Sequence, residues 1–200
     1  MYLILIYQSI CLKLYMEIKD LNNEGREKDN MYVIICDLDN CFTDSREWGR
    51  FIPETNDRKA WDDYLDMFYL CKPNQPVIDL VTCTAEILPV YFVTGREDRK
   101  QNRHHTIQQI KDYTKGAINM FDPKSHHKLL MRAELDYRPS QDVKEEILKL
   151  IVQSGHSPVV AIDDEEENCK MFCKYGIPTV LYKIDTNEFI RYGGPKVVQG

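Results

Sequence analysis

Residues 32–39 read Tyr-Val-Ile-Ile-Cys-Asp-Leu-Asp. The first five form an unbroken apolar, largely β-branched run, the signature of a strand covered on both faces. The run ends in two aspartates spaced by one residue. The same pattern recurs outward along the chain. Val90-Tyr-Phe-Val93 is a second such run and ends in Thr94-Gly95-Arg96, and Pro158-Val-Val-Ala-Ile162 is another, ending in Asp163-Asp164. Residues 128–131 and 178–182 supply two further short strands. Stretches of helical period lie between them. Trp61, Tyr64, Leu65, Phe68 and Tyr69 make one apolar stripe. Pro76 opens a helix through Val77, Ile78, Val81 and Ile87, which Pro89 ends. Residues 97–113 turn Ile107 and Ile110 inward. Ser140 caps a helix through Val143, Ile147, Leu150 and Ile151 that Gly155 closes, and 165–175 is a last helix closed by Gly176. Strands alternating with helices predict an α/β fold with a three-layer arrangement, a parallel sheet with helices on both faces. Residues 40–93 are filled by two helices and a strand, which leaves room for at most a small cap insertion.

The 200 residues are 43% hydrophobic and 29% charged, which excludes a disordered or collagen-like chain. The formal charge of −6 argues against a general DNA-coating protein, which would be basic. Cys11, Cys36, Cys41, Cys71, Cys83, Cys169 and Cys173 are odd in number and show no CxxC or zinc-ligand spacing. Free thiols in a reducing compartment, the cytoplasm, are the expectation. Residues 1–30 are expected to be a poorly ordered N-terminal extension, or to precede the true start. They hold no apolar stretch of membrane-spanning length and no signal-peptide pattern, and 21–30 (LNNEGREKDN) has linker composition. Residues 31–200 then form the folded domain.

In parallel α/β sheets chemistry gathers at the carboxyl ends of the strands. That rule brings Asp37 and Asp39, Thr94-Gly95-Arg96, and Asp163 with Asp164 to one edge, where Lys144 at the start of its helix joins them. The residue types suit phosphoryl transfer from a monoester. Asp37 is a candidate nucleophile that would form an aspartyl-phosphate. Its repulsion from a phosphate dianion must be cancelled, which Mg²⁺ held by Asp37, Asp39, Asp163 and Asp164 would do with the oxygen ligands a hard cation prefers. Asp39 is placed to protonate the leaving oxygen and later to activate water. Thr94 can donate a hydroxyl to the phosphoryl group, Gly95 permits close backbone approach, and Lys144 is a point charge for anionic oxygens.

These four fragments, in this order, resemble the haloacid dehalogenase (HAD) superfamily of phosphatases, over residues 32–182. A narrower resemblance rests on Leu129-Leu-Met-Arg132, Asp136-Tyr-Arg-Pro139, Asp142-Val-Lys-Glu-Glu-Ile147 and Ala161-Ile-Asp-Asp164. These stretches look like the 3′-phosphatase domain of phage-type polynucleotide kinases. The resemblance implies a HAD-like (Rossmannoid) fold and a Mg²⁺-dependent hydrolase of phosphorylated 3′ ends or nucleotides, with a place in nucleic-acid repair. It assigns Asp37 as nucleophile, Asp39 as acid/base, Lys144 as stabilising amine, Thr94 and Arg96 as phosphate contacts, and Asp163 and Asp164 as the metal side. Asn40 and Cys41 stand where the family usually has Gly and Thr. No G-x-x-x-x-G-K-[ST] occurs, so end phosphorylation with ATP is not expected.

Other readings compete. A phosphatase of free nucleotides or other small monoesters would use the same chemistry. A non-catalytic binding module would be expected to have lost Asp37 or Lys144. Arg96, Arg99, Lys100 and Arg103 with His104 and His105 are either a track for a nucleic-acid backbone or a helix face balanced by Glu97 and Asp98. Trp48 and Trp61 are candidate base-stacking surfaces, the helical stripe favouring the core for Trp61. Glu165, Glu166 and Glu167 are ordinary for a helix N-terminus and are left outside the site. No membrane partner is expected.

Overall fold

The computed structural model describes residues 31–54 and 57–193. The expected extension, 1–30, lies outside the described residues. Strands β1 (Met31–Cys36), β4 (Val90–Glu97), β5 (Lys128–Arg132), β6 (His156–Asp163), β7 (Thr179–Lys183) and β8 (Glu188–Tyr192) form one sheet in the order β5-β4-β1-β6-β7-β8. All pairings are parallel except that of β7 with β8. The chain leaves β1 for β4 and β5 on one side, then crosses back to β6, β7 and β8 on the other. The reversal puts a crevice at the carboxyl end of β1, between β4 and β6.

Alternation along the strands divides the core between two faces. Cys36, Val90, Phe92, Leu129, Met131 and Ile162 bury against α2 (Gln75–Ala85) and Ile110 of α3 (Lys100–Tyr113). Val33, Ile35, Tyr91, Val93 and Ala161 bury against Val143, Ile147, Leu148 and Ile151 of α4 (Ser140–Gln153), and Met171 and Phe172 of α5 (Glu166–Lys174). Helices thus cover both faces, as the sequence predicts. The cap is small: β2 (Thr43–Asp44) and β3 (Lys72–Pro73) pair as a two-stranded ribbon, and between them lie α1 (Arg58–Leu65) and two short 3₁₀ turns.

The structure departs from the sequence reading at several points. The sheet is mixed, because β8 adds an antiparallel edge. Glu97 ends β4 rather than opening α3, and Ile87 lies beyond α2 and is exposed. Ser140 is the first residue of α4; Pro139 takes the cap position without a side-chain bond. The apolar stripe from Trp61 breaks into α1 and a 3₁₀ turn, and no residue of either is buried. Trp61 is therefore only partly buried, its ring edge-to-face with Tyr64 at 5.9 Å, and belongs to neither buried cluster on the sheet's two faces.

Candidate active site

The crevice beyond β1 collects four side chains from three elements. Asp37 directly follows β1, and its backbone N–H donates to the Ile162 carbonyl of β6 at 2.9 Å. Asp163 ends β6, and Asp164 follows it. Lys144 projects from the first turns of α4 and is fully buried. Its Nζ donates to Asp37 Oδ1 at 2.7 Å and to Asp163 Oδ2 at 2.8 Å. The other oxygen of Asp163 accepts from the Glu165 backbone N–H (3.0 Å) and from Asn168 Nδ2 (2.9 Å). One carboxylate oxygen each from Asp37, Asp163 and Asp164 lie within 4.8 Å of one another.

Three carboxylates face one ammonium, and the imbalance shows in their proton affinities. Burial pushes the Asp37 carboxyl well above the usual carboxylate range; Lys144 opposes this, while Asp163 and Asp164 reinforce it. Asp164 is pushed up to about 7, first by burial and then by Asp163. Burial alone would lower the Lys144 pKa, but Asp163 and Asp37 more than reverse that. A buried, oxygen-only donor set short of positive charge fits a hard divalent cation.

Asp39 stands apart from this trio. Its carboxylate accepts from Arg96 Nη2 at 2.7 Å and Nε at 3.0 Å, and from the Thr43 hydroxyl at 3.3 Å. The metal role expected of Asp39 is thus not one its side chain is positioned for. Arg96 likewise does not reach outward as a phosphate contact. It is buried, its Nη1 donates to Gln109 Oε1 (2.9 Å) and Thr106 Oγ1 (3.2 Å), and its guanidinium lies 5.2 Å from the Phe68 ring centre. Its evident work is to fix Asp39. Thr94 is fully buried at the crevice, its hydroxyl accepting the Arg96 N–H at 3.2 Å. The Gly95 carbonyl accepts from Arg132 Nε at 2.9 Å, and a methyl added at Gly95 would sit 3.4 Å from Arg132 Nη2.

Asn40 has a left-handed backbone, φ +60°. The sequence places Asn where the resemblance expects Gly, and Asn is the residue next best able to adopt that conformation. Its Oδ1 also accepts from the Ser45 hydroxyl at 2.7 Å, which fixes the loop carrying Asp39. Asn40→Val, β-branched and without that acceptor, is expected to destabilise the protein by about 1–3 kcal/mol, measured by urea unfolding. Asn40→Gly should change little.

Sequence reasoning missed Asn168, which steadies Asp163, and Asn74. The latter receives the Tyr182 hydroxyl at 2.9 Å and donates to the Cys41 carbonyl, tying the loop after β1 to β7. Single amides carry no periodic or spacing signal, so only the fold reveals them. At the start of α3, Arg99 pairs with Glu97 and Asp62, and Arg103 with Asp98. Arg46 is likewise satisfied, by Asp44 and Asp185.

The family model described as "Polynucleotide kinase PNKP phosphatase domain" matches residues 32–189. The chain belongs to this family. A PNKP-type phosphatase domain is an enzyme of the HAD phosphatase class. Structures similar to this PNKP-type domain include one titled "Structure of Pnkp1/Rnl/Hen1 complex", at TM-score 0.58 and 19% identity over 78% of this chain and 47% of that one. A class C acid phosphatase from Bacillus anthracis is also similar, at TM-score 0.52 and 20% identity over 81% of this chain and 61% of that one. At such identity the likeness shows the fold. The chain spans about half the length of the first and three-fifths of the second. No curated protein sequence matches it significantly. Among the described residues no helix is long and apolar enough to cross a membrane.

Proposed function

We propose that this PNKP-type phosphatase domain removes the 3′-phosphate from nucleic-acid ends through an aspartyl-phosphate on Asp37. The observation that carries the reading is the buried cluster of Asp37, Lys144, Asp163 and Asp164 at the crevice of a chain belonging to this family. Asp37 attacks phosphorus and the bond to the 3′ oxygen breaks. Asp39, two residues on and aimed by Arg96, supplies a proton to that oxygen. Water, losing a proton to Asp39, then splits the acyl-phosphate and restores Asp37. Lys144 orients Asp37 by direct hydrogen bonding and offsets its charge. The Thr94 hydroxyl and the backbone at Gly95 donate to phosphoryl oxygens, with Arg96 acting through Asp39. Mg²⁺ held by Asp37, Asp163 and Asp164 would neutralise the meeting of carboxylate and phosphate. The small cap supports a bulky, polymeric substrate, which a large lid would exclude. The six described cysteines are all free, which supports a reducing compartment such as the cytoplasm.

The test compares phosphate release from a 3′-phosphorylated oligonucleotide with release from 3′- and 5′-mononucleotides, with Mg²⁺ and with EDTA. The oligonucleotide should be turned over fastest, and EDTA should abolish release. Apparent Mg²⁺ affinity should rise with pH up to about 7, because Asp164 must lose its proton to become a ligand and is held protonated below that. A strong preference for mononucleotides would replace the polynucleotide reading with that of a nucleotide phosphatase.

A further inference from the structure

A cleft of about 670 Å³ opens beside the active site, at the carboxyl ends of β4 and β5. Gly95, next to Thr94, forms its inner edge; Trp61 and Leu65 of α1 stand on one side, Arg132 and Tyr137 on the other. The cleft adjoins the catalytic cluster. Ser140 Oγ lies 3.9 Å from where a Cβ at Gly95 would stand, and Ser140 is one turn before Lys144 on α4, about 6 Å along the helix. The volume falls in the range of small-molecule sites.

The walls are held in place. Arg132 donates to the carbonyls of Gly95 (2.9 Å), Asp136 (2.9 Å) and Arg138 (2.5 Å), which fixes the loop bearing Tyr137. Arg58 of α1 donates to the Tyr137 hydroxyl (3.1 Å) and to Glu97 (2.7 Å), linking the two sides. Tyr137 is nevertheless 75% exposed, and Trp61 belongs to neither face of the core. Arg58, Arg132 and Arg138 are all engaged within the fold, so the cleft offers no free point charge for a second phosphate. It offers the aromatic and apolar surface of Trp61, Leu65 and Tyr137, with Gly95, the residue after Thr94, in its lining.

We propose that this cleft seats the base of the nucleotide that bears the phosphate monoester, with Trp61 and Tyr137 as its stacking faces. The assignment rests on the nucleic-acid-end reading above. Because every base has a π face, stacking here gives affinity without strong sequence preference.

The test uses Asp37→Asn protein, which holds substrate uncleaved, with Trp48→Phe added so that Trp61 is the sole tryptophan of the chain's two. A 3′-phosphorylated dinucleotide should quench Trp61 emission, and inorganic phosphate should not. Tyr137→Ala, an exposed substitution, should weaken dinucleotide binding at least about tenfold, with Tyr137→Phe restoring it. A dinucleotide that binds with Trp61 emission unchanged, or equally well to Tyr137→Ala, overturns the cleft assignment. If the wild-type protein still releases phosphate from that dinucleotide, the proposed function stands. A wild-type protein that hydrolyses para-nitrophenyl phosphate but not the dinucleotide overturns both.

Discussion

Asp37→Asn should reduce phosphate release by roughly 10⁴-fold or more while the protein remains folded. The amide is nearly isosteric but cannot attack phosphorus, and Asp163 and Asp39 are both engaged elsewhere. Asp163 has both oxygens engaged, one by Lys144 and the other by the Glu165 N–H and Asn168. Asp39 is turned toward Arg96. The fold should tolerate the change because it removes one of three crowded carboxylates and leaves Lys144 bonded to Asp163. The melting temperature should therefore move by only a few degrees, or rise. Steady-state release of phosphate from a 3′-phosphorylated oligonucleotide checks the first expectation, and thermal unfolding in EDTA the second. Substantial residual turnover would mean that another group is the nucleophile.

Lys144→Met should have the largest effect on stability. The methionine matches the stem of the lysine, so the packing of α4 on the sheet is largely kept, but the ammonium bonded to both Asp37 and Asp163 is removed. Breaking a buried ion pair from one side costs about 3–5 kcal/mol. Activity should fall as well, since Asp37 loses the donor that orients it. The loss should have a definite pH dependence. Asp37 and Asp164 already have raised carboxyl pKa values, so they take up protons on folding, and removing Lys144 raises them further. Folding of the variant in EDTA is therefore favoured at low pH and weakens as pH rises from the unfolded carboxyl range through neutrality. Millimolar Mg²⁺ should recover part of the loss at neutral pH. Urea unfolding at mildly acidic and neutral pH, with and without Mg²⁺, reads all three effects. A variant as stable as wild type in EDTA at neutral pH would show that the carboxylates do not need the lysine.

The strands that build the site were legible because each is buried on both faces. The middles of β1, β4 and β6 are apolar runs rich in Val, Ile, Tyr and Phe that a covered parallel sheet accommodates, and the candidate site residues lie at or just beyond their carboxyl ends. β8 was not legible: Glu188-Phe-Ile-Arg-Tyr192 is half exposed and charged at both ends of its apolar pair, as an edge strand can be. The helical period around Trp61 was legible, but its environment was not, because a stripe says which face is apolar and not whether anything covers it. Asp37, Asp163, Asp164 and Lys144 converge because sheet topology alone brings them together. Arg96 shows the limit. A cation after Thr-Gly at a strand end suggests a phosphate contact, whereas Asp39 from one loop and Thr106 and Gln109 from α3 turn it inward. Those partners are far apart in the chain and carry no shared pattern.

Acid-quenched mixing of the wild-type protein with 3′-phosphorylated oligonucleotide and Mg²⁺, followed by peptide mass analysis, reads the phosphoryl acceptor itself. Phosphate carried by the peptide containing Asp37, and missing from the Asp37→Asn protein, is the expected result. Active enzyme whose phosphate never appears on that peptide, or appears on another residue, would contradict covalent transfer through Asp37.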